Sequence, residues 1–207
     1  MKTISYNLFR NINSGSGSFT GISVNSSGAN SSITNNTISN ITSGMNLVAI
    51  NWGSSNNQNN HTCSNNILSN LTGVSVDAIF GGSRHVLTMN INHNIIGPIS
   101  SAGNSGSIHG IRLVATSTSN VFCNKIFDLT SLHPTSGVAK GISISYDGSA
   151  SPGSIYNLYN NLIGNLRAPF AGVPSDGTIE TISGISLRGF TTTSTINVYY
   201  NTVYIPA

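Results

Sequence analysis

A short pattern of apolar residues around one asparagine is written seven times along this chain of 207 residues. Its copies run Ile4–Ile12, Ile33–Ile41, Cys63–Leu71, Ile91–Ile99, Val121–Leu129, Leu158–Leu166 and, cut short, Val198–Ile205. Every copy keeps the asparagine: Asn7, Asn36, Asn66, Asn94, Asn124, Asn161 and Asn201. An apolar residue or cysteine stands three positions before it. Apolar residues stand two positions after it and, in the complete copies, five positions after it. Successive asparagines are 29, 30, 28, 30, 37 and 40 residues apart. Self-similarity at such a period marks a solenoid, in which each repeat buries its apolar face only against its neighbours.

The units are strands. A helical repeat needs apolar residues at i, i+3, i+4 and i+7 over a dozen positions. Here each apolar cluster is short, rich in β-branched residues and bounded by Gly, Ser and Asn, which is strand and turn chemistry. A second motif falls between the first ones: Gly21-Ile22-Ser23-Val24, Ala49-Ile50-Asn51-Trp52, Ala78-Ile79-Phe80, Gly110-Ile111-Arg112-Leu113, Gly141-Ile142-Ser143-Ile144 and Gly184-Ile185-Ser186-Leu187. Each repeat therefore holds about three short strands with nothing to close a hairpin. The expected fold is all-β: a right-handed parallel β-helix of about seven coils, one domain over residues 1–207, cut from a larger solenoid. At ~4.8 Å per coil the column is roughly 30–35 Å tall. The asparagine lies between inward positions an odd number of residues apart, so the chain must bend there. Asn tolerates the left-handed backbone of such a bend, and stacked amides can bond coil to coil. The seven asparagines are predicted to form a structural ladder rather than a row of ligand-binding amides.

Only 6% of the residues are charged, against about 25% in ordinary domains, so Asn, Ser, Thr and Gly must carry the surface. Such a composition by itself suits disorder; the phased apolar positions argue against it. The net charge of +3 comes from scattered Lys and Arg with no basic run, which excludes a nucleic-acid groove. No apolar run approaches the ~18 residues of a membrane span. Met1-Lys2 begins like a signal peptide, but Asn7, Arg10 and Asn11 interrupt any apolar core. Cys63 takes an inward position. Cys123 lies two coils further on, roughly 9–10 Å along the column, beyond the ~7 Å that a disulfide spans. Two free thiols are expected.

The stretches 13–20, 42–48, 72–77, 100–109, 130–140 and 167–183 are expected to be loops along one edge of the column, the last carrying Asp176 and Glu180. Long loops on a rigid scaffold are common binding sites. Alternation along the Gly-Ile strands would expose Ser23, Asn51, Phe80, Arg112, Ser143 and Ser186 in one row, with Tyr146 and Arg188 near it. Aromatic faces beside amides and guanidinium groups suit a sugar, so Asn51, Phe80, Arg112, Tyr146, Arg188, Asp176 and Glu180 are the candidate ligand-binding residues. Trp52 is better read as core, at the Val24 and Leu113 position.

The carboxylates test for catalysis. Glycoside hydrolysis needs two or three that converge, and a calcium-dependent lyase needs several acidic ligands with a base. The acids Asp77, Asp128, Asp147, Asp176 and Glu180 are spread through the coils. His61, His85, His93, His109 and His133 fall in different contexts, each expected at the surface or in a turn. No metal-ligand spacing or phosphate loop occurs. No catalytic residue, metal or cofactor is expected.

The segments Asn35–Ile41, Gly141–Ile144, Asn157–Ile163 and Ile196–Tyr204 resemble the β-helical repeat regions of large secreted surface proteins of Bacteroidota, within the pectin-lyase-like superfamily. Those proteins are commonly exported by the type IX route through a separate sorting domain. The resemblance covers essentially the whole chain and implies an extracellular or cell-surface location, although the acidic clusters of the superfamily's enzymes are missing. The expected function is a non-catalytic scaffold, adhesin or carbohydrate-binding segment. Its expected partners are a polysaccharide or cell-surface glycan, with head-to-tail self-association through the ends of the column. The alternative is a polysaccharide lyase or glycoside hydrolase acting on an acidic polysaccharide, a lyase using Arg112 or Arg188 with Asp77 or Asp147.

Overall fold

The computed structural model describes residues 2–24, 30–52, 59–82, 86–101, 106–114, 117–135, 137–145, 153–169, 181–190 and 193–206. They form three parallel sheets wound as a solenoid, and none of them is helical. The first sheet stacks Lys2–Ser5, Ser31–Thr34, Asn59–Ser64, Val86–Asn92, Thr118–Phe122, Ile155–Tyr159 and Thr195–Tyr199 in chain order. The second stacks Leu8–Asn13, Thr37–Thr42, Ile67–Gly73, the split pair Ile95–Ile96 and Ile99–Ser101, Lys125–Ser131, Leu162–Arg167 and Thr202–Tyr204. The third stacks Phe19–Val24, Asn46–Trp52, Ser75–Gly82, Ser107–Val114, Val138–Ser145 and Ile182–Arg188. Among the described residues the column is thus six three-stranded coils and a seventh with two strands, slightly short of the expected count.

The core follows the repeat. Ile33, Ile38 and Ile41, their counterparts Cys63, Leu68 and Leu71, and the next set Ile91, Ile96 and Ile99 are buried in vertical files. Trp52 is core as expected, stacked between Val24 and Gly81. Its Nε1 and the Nδ1 of buried His61 lack partners among the described residues, with ring centroids 6.3 Å apart. Burial holds the His61 imidazole below its ordinary pKa. Both cysteines are free, and burial pushes the Cys63 thiol well above its usual range.

Each inner asparagine is bonded in the same way. The Asn94 Oδ1 accepts from the Asn66 backbone N–H and from Asn66 Nδ2, both at 3.0 Å. Asn94 Nδ2 in turn donates to Cys63 O at 3.0 Å and to Asn124 Oδ1 at 2.9 Å. The pattern runs unbroken from Asn7 to Asn201. Asn36, Asn66, Asn94, Asn124 and Asn161 are almost fully buried, and every polar atom of such a side chain needs a partner.

Three expectations change, the first being that His61, expected at the surface or in a turn, is buried within the strand Asn59–Ser64. The left-handed residue is the one before each inner asparagine: Tyr6, Asn35, Asn65, His93, Cys123, Asn160 and Tyr200, all with φ between 55° and 58°. The inner amide has to reach into the bend, so the preceding residue makes the turn. A second left-handed file, Asn11, Asn40, Asn70, Asp128 and Asn165, lies four residues after the inner one. The third change concerns 42–48, 72–77, 100–109 and 130–140. These loops are shorter than expected, because strands beginning at Asn46, Ser75, Ser107 and Val138 claim their later parts. Pairing with neighbouring coils outweighs the weak strand propensity of Ser, Gly and Asn.

The burial of the inner file sets its weight. Asn94→Ala strands the Asn66 N–H in a dry bend and should lower the urea-unfolding free energy by about 3 kcal/mol or more. Asn90 belongs to a partly exposed file in which Asn120 Nδ2 donates to its Oδ1 at 2.8 Å. Asn90→Ala should cost less than about 1 kcal/mol. Equal losses would show that the inner file has no special role.

Candidate ligand-binding face on the third sheet

The small residue of the Gly-Ile motif shapes this face. Gly21, Ala49, Ala78, Gly110, Gly141 and Gly184 are skipped in the strand register, so the residues on either side pair with each other's counterparts around them. The skipped residue and the one after it are both inward: Ala78 and Ile79 are each fully buried. The residues flanking that pair, Asp77 and Phe80, therefore both face outward, as do His109 and Arg112 one coil on. A Cβ on Gly141 would lie 2.5 Å from Ile163 Cγ2 and 2.6 Å from the Gly184 carbonyl oxygen, and Gly110 is equally confined.

Two vertical rows result. One is Thr20, Val48, Asp77, His109, Lys140 and Ser183. The other is the expected row of Ser23, Asn51, Phe80, Arg112, Ser143 and Ser186, except that Ser143 and Ser186 are buried rather than exposed. They meet at Asp77. Its Oδ1 accepts from His109 Nδ1 at 2.8 Å, and its Oδ2 accepts from Arg112 Nη1 at 3.2 Å. The Arg112 guanidinium also lies over the Phe80 ring, 5.3 Å from the centroid, a cation–π contact. The carboxylate fixes the imidazole tautomer, so Nε2 is the nitrogen left to accept a proton or a hydrogen bond. One coil further, buried Lys140 donates from Nζ to Ser186 Oγ at 3.1 Å. Ser75, Ser107, His109, Arg112, Lys140 and Arg188 border an open groove of about 470 Å³.

The sequence-predicted residues divide into three groups. Phe80 and Arg112 are joined through the cluster, and Arg188 lies two coils away at the exposed rim of the groove. Asn51 is next to Phe80 in the row, and its buried Oδ1 has no partner among the described residues. Tyr146, Asp147, Asp176, Glu180 and His85 lie outside the described residues, as does most of 167–183. His109, expected as an ordinary surface residue, is instead held by Asp77, and Lys140 was not singled out. Both stand immediately before the motif glycine, as Asp77 stands before Ala78; that shared position was the available signal. Among the described residues no three His, Cys, Asp or Glu gather to hold a metal. No helix among them is long and apolar enough to cross a membrane.

Comparison with known protein families, curated proteins and solved structures finds no match to this chain. The fold is that of a parallel β-solenoid with an internal asparagine ladder and, among the described residues, a charged cluster on its third sheet.

The confinement at the motif glycine can be measured. Gly141→Ala should lower stability by about 1–3 kcal/mol through overpacking. Gly17→Ala meets nothing closer than 3.4 Å and should fall within about 0.5 kcal/mol of the parent. If both variants unfold at the parent's urea midpoint, the two outward rows are not set by this pinch.

Proposed function

We propose that the chain is a non-catalytic segment of an extracellular surface protein, its third-sheet face binding a glycan. The observation that carries the reading is the Asp77–His109–Arg112–Phe80 cluster beside the groove. In a chain with 6% charged residues, an ion pair locked across two coils and capped by an aromatic ring is not needed for solubility. Arg112, Lys140 and Arg188 around the groove suit the carboxylates or sulfates of an acidic polysaccharide, and the serines between them suit its hydroxyls. A straight column also suits an extended polymer, since successive sugars can meet successive coils. The likeness to repeat regions of secreted Bacteroidota proteins, and through them to pectin-lyase-like β-helices, supports a cell-surface adhesin or stalk. The inner file donates in one direction throughout, so further coils or a second copy with the same repeat can extend the column end to end.

A lyase is the second reading, because His109 is oriented by Asp77 beside Arg112. An imidazole base next to a guanidinium that neutralises a carboxylate is the apparatus for removing a proton adjacent to a uronate carboxyl group. One experiment separates the readings. Acidic oligosaccharides, including galacturonate, alginate and sulfated galactans, are titrated into the protein while unsaturated products are followed by ultraviolet absorbance. The binding reading expects a salt-sensitive complex, weakened tenfold or more by Arg112→Ala, with no product. Product formation abolished by His109→Ala would replace it with the lyase. Failure of all these glycans to bind would remove the third-sheet face as a glycan site.

A further inference from the structure

The second sheet carries a gap that the repeat itself predicts should be filled. Its outer left-handed file is a second amide ladder: Asn40 Nδ2 donates to Asn11 Oδ1 at 3.1 Å, and Asn70 Nδ2 to Asn40 Oδ1 at 2.9 Å. Two coils later Asn165 Nδ2 donates to Asp128 Oδ1. In between, Ile99 pairs with both Leu71 and Leu129, which brings Pro98 into register with Asn70 and Asp128. Proline has no amide to give or receive, and the ladder stops there. The break is an open cleft of about 420 Å³ bordered by Asn70, Thr72, Pro98, Ser100, Asp128 and Thr130.

The polarity of the ladder fixes what faces the gap. Each residue donates toward the preceding coil and accepts from the following one. At Asn70 the accepting side, Oδ1, is therefore turned toward the Pro98 coil. At Asp128 the donating side is turned toward it, but this residue is an aspartate and presents its second carboxylate oxygen instead. The cleft thus has an acceptor at each end, about 7–8 Å apart once the ~2 Å width of a planar amide or carboxylate is taken from the two-coil spacing, with an apolar proline ring between. A file of hydroxyls, Thr72 Oγ1 and Ser100 Oγ at 3.0 Å and Thr130 in register beyond, runs along one side.

We propose that this cleft is a seat for a neutral pyranose ring, distinct from the third-sheet groove and independent of that reading. Two hydrogen bonds of about 2.8 Å leave about 2–3 Å between the two donors, a span met by hydroxyls on neighbouring ring carbons. A single cation with bonds near 2.4 Å cannot touch both ends. The hydroxyl file can give and accept, as sugar hydroxyls require, and the proline ring matches a sugar's C–H face. The residues bordering the cleft carry one negative and no positive charge, and the nearby Arg167 directs its Nε to Asn165 Oδ1 at 2.8 Å.

The test uses Asp128→Asn, which keeps the bond from Asn165 and a residue suited to the left-handed backbone, but turns one end of the cleft from acceptor to donor. Neutral cello-, xylo-, manno- and malto-oligosaccharides and, separately, spermidine are titrated against the ¹⁵N-labelled protein. The proposal expects at least one neutral series to shift the Asn70, Ser100 and Thr130 signals. It expects Asp128→Asn to weaken that binding tenfold or more at unchanged thermal stability. Asn70→Gly, which keeps the left-handed backbone but removes the other acceptor, should weaken it similarly, while Arg112→Ala should not. Shifts caused by spermidine alone, sugar binding unaffected by Asp128→Asn, or no shift at these residues with any neutral series would each overturn the proposal.

Discussion

One carbonyl oxygen per coil holds this structure in register. The Oδ1 of each inner asparagine accepts both the backbone N–H and the side-chain amide of the asparagine in the preceding coil. A parallel stack pairs its strands laterally, but where the chain bends from the first sheet to the second the backbone groups would face a dry interior without partners. An unmet buried donor costs about 1–3 kcal/mol, and this bend occurs in every coil. The amide supplies a donor and an acceptor at the height of the next coil. Asn is the residue that offers both in a neutral, short side chain. The same arrangement fixes the vertical alignment of Ile33, Cys63 and Ile91, because a one-residue slip would turn apolar residues outward.

From that alignment the surfaces follow. In the third sheet a small residue tucked against the second-sheet isoleucines makes two consecutive positions inward, and the positions on either side of them both turn outward. Arg112 meets Asp77 and His109 only because of this double-inward step, His109 being the register partner of Asp77. Side chains three apart on an ordinary strand point to opposite faces. The outer surface of the first sheet shows the alternative use of stacking. Phe122, Tyr159 and Tyr199 lie face to face, with centroids 4.9 and 5.2 Å apart. Their faces are spent on one another, which leaves edges toward solvent. That file is a structural aromatic ladder, whereas the third sheet keeps its polar groups around an open groove.

The coil period, the three inward positions, the inner asparagines, the core role of Trp52 and the row from Ser23 to Ser186 were legible in the sequence. They recur in every repeat, and recurrence is visible without coordinates. The left-handed positions were misplaced by one residue because Tyr6, His93 and Cys123 share no side-chain chemistry; the stack imposes their conformation, and propensity does not. The Asp77–His109 contact joins register partners 32 residues apart, and the Arg112 bond to Asp77 depends on where the register skips a residue. Alternation alone would have put Asp77 and Phe80 on opposite faces. The interrupted outer ladder was equally hidden, since Pro98 looks like a tolerated substitution until its neighbours above and below are known.

The account stands on side-chain carbonyls accepting backbone N–H groups from the coil before. Scalar coupling through hydrogen bonds reads that contact directly in ¹³C,¹⁵N-labelled protein. The backbone ¹⁵N of Asn36, Asn66, Asn94 and Asn124 should each correlate with the side-chain ¹³Cγ of the next asparagine in the file, at Asn66, Asn94, Asn124 and Asn161. Correlations from these amides to backbone carbonyls instead, or their rapid exchange with solvent, would contradict the stacked column.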